Sequence, residues 1–190
     1  MHEYKEILGI IPIGIAVISY SDYFFNIFKR GTIPRTISWF IWGVLSAIAF
    51  SVQSGAHGGS GVWITGFTAV MCFTIALVSF FKCDEHFTLY DWLPLAGAFI
   101  TLFLWLRTDN PILAIVLTCT TYAIGFIPTL HNAYLHPKQE TVVTFALNGL
   151  KFFIAFFALE SYTLETWLFP ITLTVLNVIL VAVILMRRKR

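Results

Sequence analysis

The chain has 190 residues, of which 58% are hydrophobic and 12% charged, with a formal net charge of +2. An ordinary soluble domain is roughly a quarter charged, so the composition excludes a water-soluble fold. A spanning helix needs about 20 mainly apolar residues, and the length holds six to eight of them with short connections: one membrane domain over 1–190, with no room for a separate soluble domain.

The first apolar run, 7–27, follows MHEYKE and passes into Tyr20, Ser21 and Asp22 without a small-residue cleavage site, so it reads as a retained helix rather than a removed signal peptide. Further runs bounded by charge, Gly or Pro predict helices at 36–53, 62–81, 92–106, 111–134, 141–159 and 166–186. The expected fold class is all-α and polytopic, with seven transmembrane helices. The fourth run, WLPLAGAFITLFLWL, is short for a span and lies between the polar loops KCDEHFTLYD and RTDNP, as a linker would. Cys72, Cys83 and Cys119 are far apart with no CxxC pair, which suggests neither a disulfide framework nor a zinc site.

Seven spans put the termini on opposite sides of the bilayer. One side collects Lys29, Arg30, Arg35, Lys82, Lys138 and the tail Arg187, Arg188, Lys189, Arg190, while the other holds Lys5 and Arg107. The bias predicts an outside N-terminus and a cytoplasmic C-terminus. The basic tail reads as an anchor to anionic lipid, not as a nucleic-acid site.

A shift of 106 residues lays the first three helices on the last three, matching Asn26 with Asn132, Phe28 with Tyr134, Ser38 with Thr144, Trp39 with Phe145 and Gly43 with Gly149. One linker span between two three-helix units leaves both units in the same orientation. This is a parallel repeat, with units at 7–81 and 111–186 around the linker at 92–106.

This three-plus-one-plus-three plan resembles the PQ-loop superfamily, which includes SWEET sugar facilitators, lysosomal cystine and cationic amino-acid carriers and the KDEL receptor. The segment GFIPTLHNAYLHPKQETVVTFAL, 125–147, is similar to that group's signature, a Pro-Gln pair followed by a short basic loop and a Ser/Thr-rich helix start. Here the pair is Pro128-Thr129, and Asp22-Tyr23 stands at the matching place in the first unit. The SWFIWG segment after a basic loop, with a Gly-rich turn before a Trp, also resembles bacterial PQ-loop-like proteins of the inner membrane.

Polar residues in a span face the bundle interior. Helical spacing groups Ser38, Trp42, Ser46, Ala49 and Gln53 on the second helix, and Thr144, Asn148, Lys151 and Ala155 on the sixth. The third carries Thr65, Thr68, Cys72, Ala76 and Ser79, and the fifth Thr118, Thr121, Gly125 and Pro128. Small residues in such stripes mainly allow close packing. Trp42 and Asn148, equivalent under the repeat, are candidates for a central substrate site. The SWEET resemblance implies that Trp42, Asn148 and Asn177 stack on a sugar and bond its hydroxyls, and Gln53 completes the candidate set.

Lys151 falls about halfway through a ~30 Å core if its helix starts near Thr141. Three readings follow: a lysine snorkelling to the rim, a contact for an anionic solute, or an ion pair with Asp22 that breaks as the units rock. Asp22 and Pro128 are therefore candidate gate residues.

The loop QSGAHGGSG, 53–61, lacks the GxxxxGK[ST] pattern and a preceding strand, and reads as a flexible external hinge or a re-entrant turn, with His57 solvated. HExxH, GxSxG and paired acidic motifs are missing from the sequence, so neither catalysis nor a cofactor is expected. The leading function is a small-solute facilitator that alternates access to a central polar site. A receptor or sorting protein on the same scaffold, or a structural subunit of a membrane complex, is the alternative. A monomer suffices for any of these, since both units lie in one chain, although a homo-oligomer is compatible with them.

Overall fold

A computed structural model describes residues 2–29, 34, 36–82, 89–137 and 142–188. These hold seven helices and no strand: α1 (His2–Lys29), α2 (Thr36–Gly55), α3 (Trp63–Lys82), α4 (Leu89–Thr108), α5 (Pro111–Leu135), α6 (Val142–Ala158) and α7 (Leu164–Arg188). A short 3-10 turn, Gly59–Val62, leads directly into α3. Helices α1, α2, α3, α5 and α7 are long and apolar enough to cross a membrane, while α6 and the apolar part of α4, Trp92–Thr108, are shorter. Arg30, Arg35, Cys83, Lys138, Thr141, Lys189, Arg190 and the side chain of Pro128 lie outside the described residues.

Local chemistry sets the helix ends. Pro111 opens α5 where a missing N–H costs nothing, and the Asn110 side chain accepts from the Leu113 amide at 3.0 Å, as an N-cap does. At the start of α7 the Thr166 hydroxyl accepts from the Thr163 amide at 3.0 Å. Helix α1 starts five residues before the apolar run, with Glu3 in its first turn, where an acid complements the helix dipole. Helix α4 runs for 20 residues, longer than its apolar stretch, because Leu89–Asp91 continue the helix.

Polarity is distributed for a lipid solvent. Ser46, Gln53, Thr68, Ser79, Thr118, Lys151 and Asn177 are buried, whereas Ile18, Val70, Leu77, Phe80, Phe81, Leu93, Phe99, Phe103 and Val178 are exposed. In water such an apolar surface would drive aggregation; in a bilayer it is the solvated face.

Helix α3 packs against both α1 and α2, and α7 against both α5 and α6. Between these groups α1 packs on α6, and α2 on α5 and α7; α4 lies against α5 and α2. The consecutive pairs α1/α2 and α5/α6 make no comparable contact among the described residues. A Cβ on Gly43 of α2 would sit 2.9 Å from the Phe73 ring of α3, and one on Gly149 of α6 would sit 3.2 Å from Asn177 Cβ of α7. Small residues thus let neighbouring helices close up.

The glycine-rich segment is packed, which corrects the hinge reading. Ser60, Gly61 and Val62 are buried, and the Ser60 hydroxyl donates to the Lys5 carbonyl at 2.7 Å and lies 3.3 Å from the Ala158 carbonyl. A Cβ on Gly59, at φ +65°, would overlap the Glu160 side chain, and one on Gly61 would sit 2.7 Å from the Ala155 carbonyl oxygen. The turn therefore joins α1, α3 and α6, while His57 is exposed as expected.

Lys5 closes this end by donating its ammonium to the Leu159 carbonyl just past α6, where a cation suits the helix C-terminus. At the opposite end Arg187 donates to the Tyr134 carbonyl at 3.1 Å, Arg188 to the Pro137 carbonyl at 2.9 Å, and Lys82 lies 4.1 Å from the Phe28 ring centre. Lys29 ends α1 at this same end.

Candidate central polar site

Three of the predicted stripes are buried through much of their length. On α3, Thr65, Thr68, Cys72, Ala76 and Ser79 are all buried; on α5, Thr118 and Thr121; on α2, Ser46, Ala49 and Gln53. Many threonines satisfy themselves on the carbonyl four residues back: Thr74, Thr101, Thr120 and Thr174 each do so at 2.8 Å. Ser46, Thr68 and Thr118 do not, and their buried hydroxyls have no hydrogen-bond partner. An unmade buried hydrogen bond costs about 1–3 kcal/mol.

Lys151 is the tenth of the 17 residues of α6 and is 2% exposed. It does not snorkel. Its ammonium points across to α1, donates to the Tyr20 hydroxyl at 3.4 Å, and lies 4.7 Å from the centre of the Tyr20 ring and 5.1 Å from that of Phe152. Both rings offer cation–π attraction, strongest where water is excluded. Thr68 and Cys72, one turn apart on α3, stand beside the Tyr20 hydroxyl, and Cys72 also faces Lys151. Among the described residues no acidic side chain reaches the ammonium within salt-bridge distance.

The proposed partner, Asp22, is exposed and accepts a hydrogen bond from Asn26 at 3.0 Å. The Lys151–Asp22 pair is therefore not formed. Tyr20 and Asp22 are two positions apart, about 200° around a helix, so when Tyr20 faces α6 the acid faces away.

Trp42 is half-buried on α2, stacked on Tyr122 of α5 with ring centres 6.0 Å apart and edge-on to Trp39 at 5.3 Å. The line of rings continues from Tyr122 to Phe169 at 5.8 Å and from Phe169 to Phe152 at 5.9 Å, both near-perpendicular. An aromatic wall thus runs from Trp42 to the residue beside Lys151. Asn148 is half-buried on α6, which makes no substantial contact with α2 among the described residues. Trp42 and Asn148 are consequently not face to face; Trp42 meets Tyr122.

Gln53 and Asn177 are buried away from this cluster. Gln53 sits near the end of α2, roughly 16 Å along the helix from Trp42 at 1.5 Å per residue, and donates to the Thr166 carbonyl at 2.7 Å. Asn177 donates to the Leu173 carbonyl at 2.7 Å while packed on Gly149, between α6 and α7. Each keeps an unpartnered side-chain oxygen. Gly125 of the α5 stripe packs against Pro94 of α4, with Trp42 Nε1 4.0 Å from where its Cβ would be.

The cluster includes residues outside the predicted site. Tyr20, Tyr122, Phe152 and Phe169 were hidden because an aromatic ring in an apolar helix suits lipid, core and pocket alike. One signal for Tyr20 was available: Gly9, Pro12, Ala16, Tyr20 and Ile27 recur at spacings of three, four or seven, and all are buried. At the α1-start end, a separate surface cleft of about 420 Å³ is lined by Glu6, Ser54, His57, Trp63 and Glu160 among others. No protein-family model, curated protein or solved structure matches this chain.

Proposed function

We propose that this chain is a small-solute carrier of the SWEET and PQ-loop plan, in which units α1–α3 and α5–α7 rock about a central site and α4 links them. The observation that carries the reading is Lys151, a lysine without an acidic partner among the described residues, buried where α1 meets α6. A charge at that depth costs several kcal/mol, and an intramembrane ionisable residue facing the bundle interior marks a substrate or ion path.

The helix contacts support the parallel repeat. In each unit the third helix stands between the first and second, and the units meet by the equivalent pairs α1/α6 and α2/α5. Equivalent glycines, Gly43 and Gly149, receive a side chain from the third helix of their own unit. The proposed site is centred on Lys151, Tyr20 and Trp42, with Asn148 on the neighbouring turn of α6. In the proposed orientation the end carrying Lys29, Lys82, Arg187 and Arg188 faces the cytoplasm of a bacterial cell.

Purified full-length protein in vesicles, tested with a panel of sugars, amino acids and organic acids, decides the matter. The expected result is uptake of at least one class, lost in Lys151→Ala. Uptake that persists when Lys151→Ala and Asn148→Ala are combined would remove the site, and binding without flux across the whole panel would favour a receptor on this scaffold.

A further inference from the structure

Resting on the carrier reading above, we infer that the Lys151–Tyr20–Thr68 cluster receives the carboxylate of a small monoanionic solute whose apolar or aromatic body lies along the Phe152–Phe169–Tyr122–Trp42 wall. Lys151 uses one N–H on the Tyr20 oxygen, which leaves two N–H donors, while the Tyr20 hydroxyl also faces the Cys72 sulfur. Beside them the Thr68 hydroxyl is buried and has no partner, though it stands next to Tyr20 outside hydrogen-bonding geometry. Two ammonium N–H donors and the Thr68 hydroxyl, from α6 and α3, thus lie beside Tyr20 where, among the described residues, no carboxylate accepts from them. A carboxylate supplies two acceptor oxygens and the missing negative charge together, and charge-assisted bonds of this kind are about twice as strong as neutral ones.

The charge count narrows the class. Among the described residues one cation faces the site, so a monoanion is neutralised, whereas phosphate or a dicarboxylate would carry uncompensated charge into a low-dielectric region. The adjoining surface is four aromatic rings rather than further donors, which suits a planar or apolar body by stacking and burial. A sugar, with many hydroxyls and no charge, leaves the ammonium without its counter-charge.

The test is thermal unfolding of the purified full-length protein in detergent with phenylacetate and butyrate against phenylacetamide, butyramide and chloride at equal ionic strength, together with vesicle flux of the same solutes. The expected result is stabilisation by the two carboxylates and not by the amides or chloride, reduced at least tenfold in apparent affinity by Lys151→Met and more weakly by Thr68→Val, which keeps the lysine and serves if Lys151→Met fails to fold. Equal stabilisation by chloride or by the amides, or no response to either carboxylate, overturns the inference. Carboxylate binding without flux sustains it and sinks the carrier reading; flux of neutral solutes that is lost in Lys151→Met, with no response to either carboxylate, does the reverse.

Discussion

Gln53 donates its side-chain amide at 2.7 Å to the carbonyl of Thr166, the carbonyl that Pro170, four residues on in α7, leaves without its helical donor. A proline inside a helix frees the i−4 carbonyl, and in a membrane that carbonyl must be satisfied by a neighbour. The pair binds the end of α2 to the start of α7, which gives Gln53 a structural task.

Replacing Gln53 by Leu should destabilise the protein by about 1–3 kcal/mol, the cost of orphaning a buried carbonyl. In a Pro170→Ala background, where the residue 170 amide can serve Thr166, the same change should cost at least ~1 kcal/mol less. The double-mutant cycle is read from thermal unfolding in detergent. Strict additivity would show that the two residues are not coupled.

Lys151→Met should raise stability by about 1 kcal/mol or more, because a charge buried with no acidic partner among the described residues is exchanged for an apolar chain of similar length. Function should move the opposite way. Loss of stability in this variant would mean that a partner compensates the ammonium in the resting protein.

Asp22 faces away from Lys151 and is exposed. Asp22→Asn should change stability by less than about 0.5 kcal/mol and leave the response of the Lys151 cluster to ligands intact. An effect of Asp22→Asn that vanishes in a Lys151→Met background would restore the ion pair as a working element.

Gly61 and Gly14 give contrasting tests of packing. A Cβ at Gly61 would meet the backbone of Ala155 and Leu159 at 2.7 Å, and helix α6 would have to move, so Gly61→Ala should cost about 1–3 kcal/mol. Nothing lies within 4 Å of a Cβ at Gly14, and Gly14→Ala should stabilise α1 by about 0.5–1 kcal/mol. Melting temperatures of the two variants that shift alike would contradict the tight α1–turn–α6 junction.

Much of this organisation was legible in the residues. The third-helix stripe was read whole, because its Thr, Cys, Ala and Ser residues contrast with Phe, Val and Leu on the lipid side, and all five are buried. Lys151 stood out for the same reason. Tyr20 did not, since an aromatic residue carries no such contrast in a lipid-facing helix: its ring suits lipid, core and pocket alike. At Gly59–Val62 the choice between a hinge and a re-entrant turn stayed open, because glycine's freedom reads equally as a hinge or as room for close approach.

Hydropathy by itself determined that the described residues are helical with several helices apolar enough to cross a membrane, where the seven helices lie, and which faces turn inward. In hydrocarbon every backbone group must be paired within its own segment and every polar side chain must be hidden, and both are properties of one helix at a time. Only the tertiary structure decided which inward faces meet: Tyr20 rather than Asp22 against Lys151, Tyr122 rather than Asn148 against Trp42, Gln53 on the carbonyl freed by Pro170. Those choices depend on the rotation and neighbours of each helix, which close packing of all seven settles together and no single stretch of sequence encodes.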